Sequence, residues 1–301
     1  DVNVDVVLRY LRLRGELPDH TDHLYVVSRR HQYLGRVPLA ALVTHEDSTP
    51  INRLIDDEQP AIDVGESAQE VARRFSDHDW VSAPVVDENN ILLGRITIDD
   101  VVDIIREQAE HQALGAAGLD EEEDLFSPVP RAVRGRVVWL CINLMTAFLA
   151  AIVIGQFEAT IEEIVALAVL MPVVAGIGGN AAVQVLTLMV RGLALGQVGA
   201  SNAGILLWKE VRVALINGLL IGGLVGLVAL VWFREWLLSL VITIALVINF
   251  SSAALAGVLV PLLLRRMRVD PAVAGTVVVT AVTDVMGFFC FLGLATAILL
   301  H

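Results

Sequence analysis

The chain has 301 residues, a formal net charge of −13, a mean hydropathy of +0.67 and a hydrophobic fraction of 55%. Residues 1–127 contain 11 Arg against 27 Asp and Glu, a net charge of −16, whereas residues 128–301 contain 10 Lys and Arg against 7 acids, a net charge of +3. This division predicts an acidic soluble module followed by a membrane module. It argues against nucleic-acid binding, which needs clustered Lys and Arg, and leaves either cation binding or a merely solvated acidic surface.

The first module contains an internal repeat, in which residues 25–43 align with residues 84–102 at a constant offset of 59. LGRV at 34–37, for example, meets LGRI at 93–96. Each copy predicts a strand, a turn, a second strand and a helix. Each copy also resembles a CBS motif. Residues 1–111 are therefore expected to form a tandem α/β CBS domain, with repeats at about 1–57 and 58–111.

The second copy keeps the residue types of a CBS nucleotide site, namely Gly94, Thr97 and Asp100. By that resemblance Thr97 would contact a phosphate and Asp100 the ribose hydroxyls. The first copy has Pro38 and Ala41 at the corresponding positions. A nucleotide site and a degenerate, purely structural CBS pair therefore stay open as alternatives.

A linker is predicted at residues 112–130, where Gly, Ser and Pro punctuate the chain around the acidic run DEEED at 120–124. Part of this linker is expected to be helical. The acidic run is either a solvated stretch or, at a cytoplasmic pore mouth, a means of concentrating cations.

Five later runs are apolar for long enough to cross a bilayer, which takes about 20 helical residues. They predict an all-α transmembrane bundle over residues 131–301. Nine positive residues flank the predicted ends on one side, against Arg234 alone on the other, which places the soluble module in the cytoplasm. The five runs are Val137–Ile154, Ile164–Val190, Val213–Phe233, Trp236–Leu264 and Pro271–Leu300.

The second run contains MPVVAGIGGNAAVQ at residues 171–184, with Pro172, three glycines and Asn180. Proline and glycine are unfavourable in a helix interior. This pattern indicates an interrupted helix lining a cavity, because freed backbone groups in hydrocarbon need such surroundings. Close helix packing through small residues is the alternative.

Asp284 stands inside the fifth run, where a carboxylate costs about 2.5 to 3.5 kcal/mol even on a lenient insertion scale. No Lys, Arg or His lies inside the five runs to pair with it. This favours a diffusible cation as its partner. Thr276 and Thr280 precede Asp284 by eight and four residues, so a helix would place them on nearly the same face.

A CBS pair, a linker and five spans, with PVVAGIGGN at 172–180 and TDVMGFF at 283–289, resemble the MgtE family of magnesium channels and transporters. The resemblance covers residues 1 to about 300. It implies a homodimer in the cell's inner membrane, in contact with lipid, with a pore on the dimer axis lined by the second and fifth spans. It also implies a cytoplasmic CBS dimer that senses Mg²⁺ and closes the pore through the linking helix, and no enzymatic activity.

The resemblance further assigns site residues by position. Mg²⁺ is the expected substrate and gating ligand, and ATP the expected effector of the CBS domain. The pore residues are Asp284, Asn180, Thr280, Gly176 and Thr276. The regulatory Mg²⁺ sites would use Glu70, Asp79, Asp100 and Asp103. Nucleotide binding would use Thr97, Asp100 and Trp80.

Some positions depart from the family pattern. The usual acidic helical domain before the CBS pair is expected to be absent, and Ala182 stands where a Gly is usual. Uncharged or basic side chains occupy regulatory positions that tend to be acidic, so gating by cytosolic Mg²⁺ is expected to be weaker. These are Ser67, Gln69, Gln108 and His111.

Three other classes of protein are alternatives to a Mg²⁺ channel. An exchanger coupled to H⁺ or Na⁺ also fits a lone membrane Asp and a broken helix. An intramembrane aspartyl protease requires a second catalytic Asp, normally in the same chain, and the surroundings of Asp284 offer none. A purely regulatory receptor would leave the membrane motifs without a role.

Overall fold

The protein folds as two compact units, residues 1–109 and 110–301, in a computed structural model. The first unit contains strands and helices, and the described part of the second contains helices. An α/β unit was predicted from the internal repeat and a helical unit from the five apolar runs, and this order is confirmed. The structure describes residues 2–56, 59–117, 126, 128–199 and 202–300.

The first unit repeats one order of elements, strand, strand and helix, in both halves, as the internal repeat predicts. The last helix, α4, continues into the second unit, which begins at residue 110. In chain order the helices and strands are α1 (Val4–Arg14), β1 (His23–Val27), β2 (Tyr33–Pro38), α2 (Leu39–Thr44), β3 (Ile62–Asp63), α3 (Ala68–His78), β4 (Ser82–Val86), β5 (Leu92–Thr97) and α4 (Ile98–Ala116).

The two halves share details of backbone geometry. β1 pairs antiparallel with β2 and β4 with β5, and β3 runs parallel to β4. The register shifts between Val26 and Val27 in the first hairpin and between Val85 and Val86 in the second. The two hairpin turns also use left-handed residues, at positions 31 and 90, with φ of 60° and 61°. The two copies therefore correspond at an offset of 59 residues in their bulges and turns as well as in their amino-acid sequence.

Hydrogen bonds join the two halves of this unit. The Tyr33 amide donates to the Asn90 carbonyl, and the Leu92 amide to the His31 carbonyl, each at 2.9 Å. Between the first strands of the two copies, the Tyr25 hydroxyl lies 2.7 Å from the Ser82 hydroxyl. These bonds make the repeats one folded unit.

The second unit contains five helices of 27 to 31 residues in the part of the chain that the structure describes, with mean hydropathies of 1.9 to 2.5. At 1.5 Å per residue they are about 40 to 46 Å long, enough to cross a bilayer. The five predicted spans are confirmed. The helices of this unit are α5 (Val129–Gly155), α6 (Glu158–Glu163), α7 (Ala166–Ala194), α8 (Ala203–Phe233), α9 (Trp236–Arg266) and α10 (Pro271–Leu299).

The bounds of some elements differ from the prediction. α5 begins eight residues before its predicted start, because the charged turns ahead of an apolar stretch can also be helical. Helix α4 extends to residue 116, so residues 112–116 of the predicted linker are helical. The short helix α6 was not predicted. The acidic run at 120–124 lies outside the described residues.

Helix α7 is continuous, so the predicted interruption at its glycines is wrong. Pro172 lies in the second turn of α7, where its missing amide removes one backbone hydrogen bond. Gly178 serves instead for close packing, the alternative that the sequence left open, because a Cβ atom there would overlap the Asn249 side chain. Helix α9 packs against α7, α8 and α10, and half of its most apolar stretch is buried.

Candidate functional site

Asp284 lies at the middle of α10, the depth at which a carboxylate is most costly in a membrane. The helix is well defined at its start, where Asp270 caps it by accepting a hydrogen bond from the Ala272 amide at 2.7 Å. The Asp284 side chain is half-buried. Among the described residues it has no hydrogen-bond or ion-pair partner. Its charge is therefore not compensated within the part of the chain that the structure describes.

Threonines carry polar oxygen atoms along α10 towards Asp284. The Thr280 hydroxyl donates to the Thr276 carbonyl at 2.8 Å, and the Thr283 hydroxyl to the Val279 carbonyl at 3.1 Å. Each hydroxyl proton is used inside the helix, which leaves the oxygen lone pairs as acceptors. Thr283 is fully buried, whereas Thr276 and Thr280 are partly exposed. The partly exposed stripe therefore presents acceptors to a hydrated cation.

The predicted residues of α7 lie on one exposed face. Gly176 and Asn180 are four residues apart and both exposed, and a Cβ atom added at Gly176 would meet no other atom within 4 Å. Next to them, a Cβ atom at Gly179 would lie 3.7 Å from the Thr280 methyl group. The structure thus brings the glycine motif of α7 against the threonines of α10.

Asn249 of α9 is a buried polar residue that sequence reasoning missed. Its side chain is fully buried and donates a hydrogen bond from Nδ2 to the Val174 carbonyl at 3.1 Å. The amide fills a niche made by Gly178 of α7 and Gly287 of α10. The available signal was one Asn within a predicted span whose other polar side chains are three Ser and one Thr. It ties together the two helices that carry the predicted pore residues.

The four predicted regulatory acids do not form a cluster. Glu70 pairs with Arg73 at 2.5 Å, and the Asp100 carboxylate accepts hydrogen bonds from the Thr97 amide and hydroxyl at 3.2 and 3.1 Å. Asp79 ends α3 in a left-handed conformation with φ of 52°. In the described ranges, no three Asp, Glu, His or Cys side chains lie close enough to hold a metal ion. Mg²⁺ binding by these acids, Asp103 included, stays a prediction.

Comparison with known proteins accounts for both units. Residues 171–294 match the MgtE family of divalent cation transporters, and residues 53–107 match the CBS domain. The magnesium transporter MgtE of Thermus thermophilus is 32% identical over 301 residues, which are 99% of this chain and 66% of that protein. The chain belongs to the MgtE family. The magnesium transporter MgtE of Enterococcus faecalis is 31% identical over 286 residues, 95% of this chain and 63% of that protein.

The chain spans about two thirds of the length of the MgtE proteins that it matches. The MgtE match encloses every predicted pore residue and Asn249. The CBS match covers the second copy of the repeat. A crystal structure of the cytosolic domain of the Mg²⁺ channel MgtE in complex with ATP is 30% identical, covers 34% of this chain and 42% of that chain, and has a TM-score of 0.33.

The residues expected to bind nucleotide by their resemblance to MgtE and CBS proteins are engaged with protein groups. Trp80 is 8% exposed, and its ring stacks on His78 at 4.9 Å between centroids. The Arg74 guanidinium lies 5.2 Å from the same ring, and Phe75 meets it edge-on. An adenine could stack on Trp80 only after His78 or Arg74 had moved. Nucleotide binding by these residues stays a prediction.

Proposed function

We propose that this chain moves hydrated Mg²⁺ across a membrane through a pore between two copies, lined by α7 and α10. The observation that carries the proposal is Asp284, a half-buried carboxylate at the middle of α10 with no partner among the described residues. The names of its relatives, magnesium transporters, support the choice of cation.

The chemistry of the ion supports the same choice. Mg²⁺ gives up its waters reluctantly and is usually bound through one or two carboxylates and several retained waters. One Asp284 from each of two copies supplies two carboxylates. Thr276 and Thr280 supply oxygen atoms that can accept hydrogen bonds from the retained waters. Weak binding through few direct ligands allows the ion to leave, as conduction requires.

The chain is a multi-pass membrane protein, in view of its five long apolar helices and its family. We place it in the inner cell membrane with the first unit, residues 1–109, in the cytoplasm; this unit is called the CBS unit below. The positive residues at the start of α5, at the facing ends of α7 and α8, and from the end of α9 to the start of α10 all belong on one face in that orientation. The exposed polar face of Gly176 and Asn180 would then be covered by the second copy and the water-filled pore.

The CBS unit would regulate the pore, with Mg²⁺ or ATP as its ligand. A physical link starts at the end of α4, where His111 Nε2 lies 2.6 Å from Asp270 Oδ2. Asp270 caps α10, the helix that carries Asp284. Because α4 follows directly on the last strand of the CBS unit, a movement of that helix would reach the pore helix through this contact.

Mg²⁺ uptake into proteoliposomes tests the transport proposal. Uptake by the wild-type chain should fall at least 10-fold in Asp284→Ala, because the only carboxylate within the five apolar runs is lost. The matched control is Glu235→Gln, which removes an exposed carboxylate at the start of α9. Equal uptake by wild type and Asp284→Ala would refute the proposal.

A second candidate, an exchanger that couples Mg²⁺ to H⁺ or Na⁺, is favoured by the same lone membrane carboxylate. A pH-sensitive dye inside the vesicles, together with uptake in Na⁺-free buffer, distinguishes the two. A channel conducts Mg²⁺ without stoichiometric proton movement and without Na⁺. An exchanger moves protons in fixed ratio or stops when Na⁺ is removed.

A further inference from the structure

A second acidic side chain of the helical unit lies in a cleft between α7, α8 and α9. The cleft has a volume of about 130 Å³. Its polar lining residues are Gln184 of α7 and Glu210 and Asn217 of α8, and the rest of the lining is largely apolar. A cavity needs about 10 to 15 Å³ by this measure to hold one water, and a water's share of the liquid is about 30 Å³, so the cleft has room for several waters.

Glu210 is buried in this cleft, with 8% of the residue exposed. Its ion-pair partner is Lys209, whose Nζ lies 3.3 Å from Oε1 and whose side chain is 64% exposed. An ion pair with a solvated, flexible Lys contributes little. Burying a carboxylate inside an apolar bundle costs much more than such a pair returns. The Glu210 carboxylate can therefore take a second cationic partner from the cleft.

The position of the cleft relates it to the predicted pore. Gln184 follows Asn180 by four residues and so continues the same exposed side of α7. Asn217 follows Glu210 by seven residues, two turns along one face of α8. α8 and α10 both start at the face rich in Lys and Arg, with Glu210 in the second turn and Asp284 at mid-helix. Glu210 is thus nearer to the cytoplasmic face.

We infer that Glu210, with Gln184 and Asn217, forms a second binding site for a hydrated divalent cation, on the cytoplasmic side of Asp284. One carboxylate oxygen binds the cation or one of its waters, and the two amide oxygens accept hydrogen bonds from the remaining waters. This site deepens the proposed transport function and rests on it for its role, since it would hold an ion entering or leaving the pore.

Iron-catalysed oxidation tests binding at this place without relying on transport. Fe²⁺ with ascorbate and peroxide oxidises side chains beside a bound metal, and Phe250 lines the cleft while being only 7% exposed. Mass spectrometry of the wild-type full chain should show Phe250 oxidation that excess Mg²⁺ suppresses. Glu210→Gln should reduce it at least 10-fold, and Glu163→Gln, an exposed acid of α6, should leave it unchanged. Equal oxidation in wild type and Glu210→Gln overturns the inference.

Lys209→Gln distinguishes a cation site from a structural ion pair. Removing the competing positive charge should make Mg²⁺ suppress Phe250 oxidation at a severalfold lower concentration. If Glu210 only balanced Lys209, this variant would instead lower oxidation as Glu210→Gln does, and the inference would be wrong. Mg²⁺ uptake by the same proteins keeps the two proposals apart. If the wild-type chain takes up no Mg²⁺, the transport proposal is contradicted. The oxidation pattern tests separately whether the cleft binds a cation.

Discussion

The side chain of Asn249 joins α9 to α7 by donating a hydrogen bond from Nδ2 to the Val174 carbonyl at 3.1 Å. The amide also lies against Gly287 of α10, where an added Cβ atom would come within 2.7 Å of Nδ2. Its Oδ1 atom has no partner among the described residues. Asn249 thus lies where three helices meet, one turn along α10 from Asp284. The missing side chains of Gly178 and Gly287 leave the space that its amide fills.

Gly178→Ala should destabilise the helical unit, because the new methyl group would overlap the Asn249 amide. Overpacking of this kind typically costs about 1 to 3 kcal/mol. We expect a lower melting temperature of the detergent-solubilised protein and reduced Mg²⁺ uptake. The control is Gly223→Ala in α8, where nothing lies within 4 Å of an added Cβ atom. Equal melting temperatures for the two variants would contradict the packing role.

His111→Ala and Asp270→Asn should each weaken inhibition of Mg²⁺ uptake by Mg²⁺ on the cytoplasmic side. His111→Ala removes the 2.6 Å contact between the end of α4 and the cap of α10, and Asp270→Asn removes the negative charge from that contact. Asp270→Asn retains a side-chain oxygen for the Ala272 amide, so the helix start is kept. Proteoliposome uptake at graded internal Mg²⁺ measures the effect.

The double variant of His111 and Asp270 is the control for this link. If the two residues act through one contact, the double variant should show the same half-inhibiting Mg²⁺ concentration as either single variant. If the changes in half-inhibiting Mg²⁺ concentration add in the double variant, the two residues act independently. If inhibition is unchanged in both single variants and in the double variant, this contact has no part in gating.

Trp80→Ala should lower the stability of the CBS unit even without nucleotide. The ring is 8% exposed and packs on Phe75, and truncating a buried Trp usually costs about 3 to 5 kcal/mol. Thermal unfolding of the full chain without ATP measures this, with Tyr10→Ala as the control because Tyr10 is 60% exposed. A variant that loses ATP-dependent stabilisation but keeps its ATP-free melting temperature would show that Trp80 is an adenine contact and not a core residue.

The CBS unit should lose stability in alkaline solution partly through Tyr33. Burial raises the pKa of Tyr33 to about 12, above its ordinary value of 10. The neutral phenol is thus favoured in the folded state, and its contribution is fully present below pH 10. It is lost as the pH rises from about 10 to 12, because the unfolded chain releases the proton first. Tyr33→Phe should show a smaller drop in melting temperature over that range, and an unchanged drop would exclude Tyr33 as a cause.

Several features could be predicted because they depend on local sequence. Charge and hydropathy separate the two units, and an offset of 59 residues predicts two similar hairpins down to their bulges. The five spans follow from length and composition. Asp284 is conspicuous because any carboxylate in hydrocarbon is costly, whatever surrounds it.

Other features were missed or misjudged because they depend on contacts between distant parts of the chain. Proline and glycines in α7 predicted an interruption, yet the helix is continuous and Gly178 instead makes room for a side chain of α9. Asn249 was not predicted, because its hydrogen bond to the Val174 carbonyl joins residues that lie 75 positions apart in the chain.

The sequence by itself therefore determined the order of the units, the repeat, the number of spans and the presence of a membrane carboxylate. Composition and periodicity act over a few turns or strands, which is enough for those properties. Only the tertiary structure decided that Asn249 joins α9 to α7, and that Glu210 shares a cleft with Gln184. Such groupings depend on how helices pack, and each involves residues that lie on different helices.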